Sequence, residues 1–174
     1  MRRFISIVCV CFIIGLFTGC EPGQSGPNRG GGSETGQGIL PDARDFELYN
    51  MDGTKVRLSD YKGKIIILNF FGTWCPPCKV EMPHFEEIAK EYSTDVEVIA
   101  VNVDGEPLKE LQSFAGRTGI TFKVLSINKR VSDLYGPIRS IPVTYIIDKN
   151  FKIARKFVGS RPKSVFVNYI NELR

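Results

Sequence analysis

The sequence predicts an α/β domain built on a mixed central sheet with helices on both sides. Three observations carry that prediction. Two continuous apolar runs of strand length, "KIIILNFF" (64–71) and "VEVIAVNV" (96–103), read as strands covered on both faces. Segments with helical spacing separate them and follow them. Near the end, "VTYIID" (143–148) and "KIARKFV" (152–158) flank Lys149-Asn150 as an antiparallel hairpin. Strand–helix alternation that ends in a hairpin gives a sheet of mixed direction.

The chain has 174 residues, 43% of them hydrophobic, which is one domain with room for a core. Its first twenty residues are expected to lie outside that domain. Met1-Arg2-Arg3 is a positive start, and residues 4–17 form an apolar run shorter than a membrane span requires. Phe17-Thr18-Gly19-Cys20 then resembles a bacterial lipobox, so residues 1–20 are expected to be a lipoprotein signal peptide with Cys20 the lipidation site, the alternatives being ordinary secretion or an uncleaved anchor. Phe17 stands where that pattern usually has Leu. Residues 21–38 contain seven glycines and two prolines with no large apolar side chain, so they read as a flexible linker. The folded domain is expected over 39–174.

The formal charge is +4, and removing Arg2 and Arg3 leaves 21 basic against 19 acidic residues. These charges are interspersed, which excludes a nucleic-acid surface from the expectation.

Within the domain, the turn cluster Asn50-Met51-Asp52-Gly53 in "FELYNMDGTKVRL" predicts an N-terminal hairpin. Cys75-Pro76-Pro77 opens a helix, because proline is tolerated where the backbone N–H has no partner. Phe85, Ile88, Ala89 and Tyr92 continue it as one stripe, and Pro83 is expected to bend it. Leu108, Leu111 and Ala115 predict a helix over 106–119 that Gly119 ends. "TFKVLSI" follows as a strand, and a short helix leads to Tyr135-Gly136. Pro137 reads as an ordinary turn proline. Val165, Phe166, Tyr169, Ile170 and Leu173 form the inward face of a final helix.

Cysteine usage narrows the chemistry. Cys9 and Cys11 belong to the signal segment and Cys20 to the anchor, so the domain keeps only Cys75 and Cys78. A metal clamp, a structural staple and a redox pair are the available readings. Zinc needs about four ligands, and the domain offers these two cysteines and His84. Closing a four-residue loop also constrains little of an unfolded chain.

The strand "IIILNFF" feeding "WCPPC", the distant "SIPVTYIID" and the closing hairpin and helix together resemble the thioredoxin fold. The N-terminal hairpin and the helix–strand insertion over about 105–127 are similar to the TlpA/ResA-type thiol–disulfide oxidoreductases. Members of that family include reductants of cytochrome c maturation. The resemblance spans roughly 40–174. It implies an enzyme that reduces specific protein disulfides through the Cys75–Cys78 dithiol, with apocytochrome c as one example of a substrate. It also implies an upstream membrane dithiol donor, no cofactor and a monomer held at the outer face of the membrane by its lipid anchor.

The residues suit that chemistry. Positions three apart on a helix bring Cα atoms to about 5 Å, within disulfide range. Cys75 begins the helix, where free N–H groups and the helix dipole favour a thiolate. It is therefore expected as the exposed attacking sulfur, with Cys78 as the resolving thiol. Pro142 is the candidate cis-proline because it directly precedes a strand. The resemblance implies that Ile141 offers backbone hydrogen bonds to an extended substrate, and that Trp74, Pro76 and Pro77 complete the substrate-binding surface. Thioredoxins place an acid six residues before the first cysteine, and here that position is Asn69. Glu81 lies one turn beyond Cys78 on the same helical face, where the TlpA/ResA-type proteins also carry a Glu, so the resemblance implies that it accepts the Cys78 proton; the alternative is a solvated helix glutamate. His84 and Lys79 read as surface helix residues. A disulfide oxidase or isomerase, a thiol peroxidase and a non-catalytic binding module are the alternatives.

Overall fold

The computed structural model describes residues 41–136 and 138–174. The signal segment, Cys20, the linker, the first two residues of the expected domain and Pro137 lie outside the described residues.

Seven strands and four helices follow one another in this region, with a 3-10 turn at Leu58–Tyr61. The strands β1 (Glu47–Tyr49) and β2 (Lys55–Arg57) make the predicted hairpin, and Gly53 takes φ 86° in its turn. The central strand β3 (Ile65–Phe71) is buried at every position. It pairs in parallel with β4 (Val96–Asn102) and antiparallel with β6 (Val143–Ile147). The five-stranded order is β5-β4-β3-β6-β7, with β5 at Lys123–Ser126 and β7 at Ile153–Val158. The sheet is mixed, as expected.

Side chains alternate across β3, and the core divides accordingly. Ile65, Ile67 and Phe71 pack with Met82, Phe85 and Ile88 of α1 (Pro76–Glu91) and Leu111 and Phe114 of α2 (Leu108–Thr118). Phe166 and Ile170 of α4 (Lys163–Leu173) complete that cluster. Ile66, Leu68 and Phe70 face Phe46, Leu48, Val56 and Leu58, together with Val131 of α3 (Lys129–Tyr135). Asn69 therefore points to the α1 side, the only polar residue in β3.

Several details differ from the sequence expectation. In α2, Phe114 is buried whereas Leu108, in the first turn, is only partly covered. In α4 the fully buried pair is Phe166 and Ile170, and Val165, Tyr169 and Leu173 are half-buried. Gly119 ends α2 at φ 71°, as predicted.

The hairpin also covers the edge of the sheet. The Met51 N–H donates to the Val124 carbonyl at 2.9 Å, and Asn50 Oδ1 accepts from the Val124 N–H at 3.1 Å. An uncovered strand edge invites pairing with other chains, and this contact occupies the β5 edge.

Candidate active site

The dithiol sits where β3 hands over to α1. Cys75 and Cys78 form a disulfide with Cα atoms 5.3 Å apart. Cys75 is the N-cap of α1, with Pro76 and Pro77 in the first turn. Its Sγ accepts the Cys78 backbone N–H at 3.3 Å, the contact that stabilises negative charge on this sulfur. The expectation of an exposed Cys75 needs correction, since it is only 2% exposed and Cys78 is fully buried. The capping geometry explains this, because the side chain folds back over its own first turn. Pro76 and Pro77 are exposed beside it, and Trp74 is 62% exposed.

Trp74 is held from the side. Its Nε1 donates to Asp104 at 2.9 Å, and Thr73 Oγ1 donates to Glu106 at 2.6 Å. The loop carrying those two acids is shaped by buried Asn102, whose Oδ1 accepts the N–H groups of Asp104 and Glu106. Sequence reasoning missed Asn102, Asp104 and Glu106. Their signal is the turn composition of "NVDGEP" after an apolar strand, where Asn side chains bond backbone two residues on. A groove of about 310 Å³ beside Trp74 is lined by Val103, Asp104, Arg139, Ser140 and Ile141 among others.

The Ile141–Pro142 peptide bond is cis. The Ile141 carbonyl oxygen lies 3.9 Å from Cys75 Sγ, so this strand entry and the dithiol are immediate neighbours. The Pro142 carbonyl accepts the Gly159 N–H at 2.8 Å. Gly72 keeps the contact close, since a Cβ there would stand 3.0 Å from both Ile141 Cδ1 and Trp74 Nε1.

Glu81 completes the site from below. It is fully buried, one turn past Cys78. Oε1 accepts the Arg161 backbone N–H at 2.9 Å, and Oε2 accepts Asn69 Nδ2 at 3.3 Å. Asn69 Nδ2 also reaches Thr144 Oγ1 at 3.0 Å. Burial pushes the carboxyl up to about 7, against the lowering influence of the Arg161 N–H and guanidinium. Such a group exchanges a proton near neutral pH. Thr144 and Arg161 were not anticipated, for they come from β6 and the loop before α4. Lys79 is exposed, and His84 is half-buried with no partner for Nδ1. No group of three or more potential metal ligands occurs among the described residues.

A family model, AhpC/TSA, matches residues 39–156. The chain belongs to the AhpC/TSA family. Within it, the chain is similar to the thiol–disulfide oxidoreductase ResA of Geobacillus thermodenitrificans, at 40% identity over 134 residues and 76% of each chain. The thioredoxin-like protein YneN of Bacillus subtilis is 33% identical over 165 residues, covering 94% of both. Among solved structures, a DsbF homologue from Corynebacterium diphtheriae superposes with TM-score 0.73 at 26% identity, over 83% of this chain and 96% of that one. The pneumococcal exposed lipoprotein thioredoxin Etrx1 from Streptococcus pneumoniae gives 0.62 at 34% identity, over 75% and 100%. This AhpC/TSA member thus has a thioredoxin-like fold and stands with the ResA-type thiol–disulfide oxidoreductases.

Proposed function

We propose that this chain is an extracytoplasmic, lipid-anchored reductant of specific protein disulfides, working through Cys75 and Cys78. The observation that carries the reading is the Cys75–Cys78 pair at the start of α1, with a buried carboxyl one turn beyond it.

In the reduced protein, the Cys75 thiolate attacks one sulfur of a substrate disulfide. A mixed disulfide forms and the other substrate sulfur leaves as a thiolate. The Cys78 thiol then gives its proton to the Glu81 carboxylate. The Cys78 thiolate attacks Cys75 Sγ, the mixed disulfide breaks, and the substrate departs with both sulfurs reduced. The product is the disulfide form described above. A dithiol donor at the membrane restores the starting state, and no cofactor enters the cycle. The substrate segment would lie extended across Ile141 and Pro142, with Trp74, Pro76 and Pro77 as its apolar floor. Apocytochrome c, whose cysteines need to be reduced, is one substrate of fitting chemistry.

A peroxidase reading is weaker. Gly72 and Leu68 stand where the Pro-x-x-x-Thr-x-x-Cys pattern of thiol peroxidases places Thr and Pro before Cys75. Export is supported by the apolar run 4–17 and Cys20. No helix among the described residues is long and apolar enough to cross a membrane.

Equilibration with glutathione tests direction. A reductant is expected near the thioredoxin value of about −270 mV, and a value near about −120 mV, typical of a strong oxidant, would reject the proposal.

A further inference from the structure

Asn69 raises a question that the reductase cycle leaves open. It is fully buried in the central strand, and both Nδ2 hydrogens are used, one on Glu81 Oε2 and one on Thr144 Oγ1. Its Oδ1 is buried with no hydrogen-bond partner among the described residues. Buried polar atoms are rarely left this way without a reason.

This inference rests on Glu81 accepting the Cys78 proton. Oε1 is committed to the Arg161 N–H, so an incoming proton resides on Oε2. Oε2 then changes from acceptor to donor, and Asn69 Nδ2, a donor, becomes the wrong partner. A half-turn of the carboxamide exchanges Nδ2 for Oδ1 and supplies the acceptor. Thr144 tolerates both orientations, because a hydroxyl can accept from Nδ2 or donate to Oδ1.

We propose that Asn69 is a positioning residue whose carboxamide turns over with the proton on Glu81, Nδ2 facing the carboxylate and Oδ1 facing the carboxylic acid. The proton moves only between Cys78 and Glu81, and Asn69 itself gains and loses none. An aspartate at this position would oppose ionisation of Glu81, and an aliphatic side chain would leave Oε2 unpaired in either state. Among the described residues, the charged group acting on Glu81 is Arg161 from the loop before α4, and Cys78 lies one turn back on its own helix. Strands β3 and β6 contribute only the neutral Asn69 and Thr144. Asn69 is thus the partner able to reverse its polarity.

The test is a nuclear magnetic resonance titration of the full chain in its disulfide form, from roughly pH 5 to pH 9, around the range in which a raised carboxyl ionises. The Glu81 carboxyl carbon and the Asn69 side-chain amide signals are expected to move with one shared midpoint. In Glu81→Gln the Asn69 response is expected to vanish. A titrating Glu81 beside an unmoved Asn69 amide would overturn the proposal, as would an Asn69 response that persists in Glu81→Gln. No thiol chemistry occurs in the disulfide form, so this result is independent of whether the protein is a reductase. In a folded Asn69→Asp protein, the Glu81 midpoint and the pH–rate profile of disulfide reduction should both rise by about one unit or more. Unshifted values there would contradict it. If that variant does not fold, the wild-type titration still decides.

Discussion

In the proposed cycle, Glu81 is the carboxyl that takes the Cys78 proton. In the native protein it keeps its proton up to about pH 7, whereas in an unfolded chain it releases it near the ordinary value of 4.5. Between those values the native state holds the extra proton, so this residue's contribution to stability is lost as pH rises through that window. Glu81→Gln removes the dependence. Its stability relative to wild type is expected to increase between about pH 4.5 and pH 7, by on the order of 3 kcal/mol, then level off. Denaturant unfolding at a series of pH values measures this, and a pH-independent difference would contradict the burial argument. The same variant should lose the near-neutral limb in its rate profile. Glu81 was a candidate from sequence through its place one turn past Cys78 together with the resemblance to the TlpA/ResA-type proteins. Its complete burial was not legible, because the partners that enclose it, Asn69, Thr144 and the Arg161 N–H, come from three separate elements. The burial of Cys75 was hidden for a related reason, since an N-cap position was readable but the turning of its side chain inward was not.

Among the elements, the junction between β3 and α1 sets the surroundings of the dithiol, where the proposed substrate would dock. Gly72 lets Ile141 and Trp74 approach the same point, and an alanine there would place its Cβ 3.0 Å from both. Gly72→Ala is expected to displace the exposed Trp74 rather than the core, loosening its bond to Asp104. Tryptophan fluorescence should change and disulfide reduction should slow by roughly tenfold, the effect of misplacing a reacting group, with thermal stability changed little. Unaltered rate and fluorescence would remove Gly72 from the account. The elements themselves were largely legible, since the buried runs of β3 and β4 and the Pro-rich opening of α1 are strong local signals. Turn detail was less so. The turn between β6 and β7 was expected at Lys149-Asn150. There Asp148 Oδ1 accepts the Asn150 and Lys152 N–H groups, and Phe151, not a glycine, takes φ 65°. Tertiary contact explains it, for Phe151 is buried and its carbonyl receives the Ala43 N–H.

At the scale of the whole molecule, the mixed sheet brings together segments far apart in sequence. Cys75, Ile141, Glu81 and Arg161 meet because β3 lies beside β6 and the loop after β7 closes under α1. The fold class followed from strand–helix order, whereas the loop after β4, with Asn102 and Asp104 steadying Trp74, required the assembled structure. The proposed arrangement of an exported, tethered domain puts this site where it can reach other exported proteins. Its central claim is that Cys75 attacks and Cys78 resolves. The most direct measurement follows insulin-disulfide reduction by wild type, Cys75→Ser and Cys78→Ser, each supplied with the same dithiol donor. Turnover is expected from wild type, none above background from Cys75→Ser, and a covalent mixed disulfide on Cys75 is expected to accumulate in Cys78→Ser. Reduction that survives Cys75→Ser would contradict it.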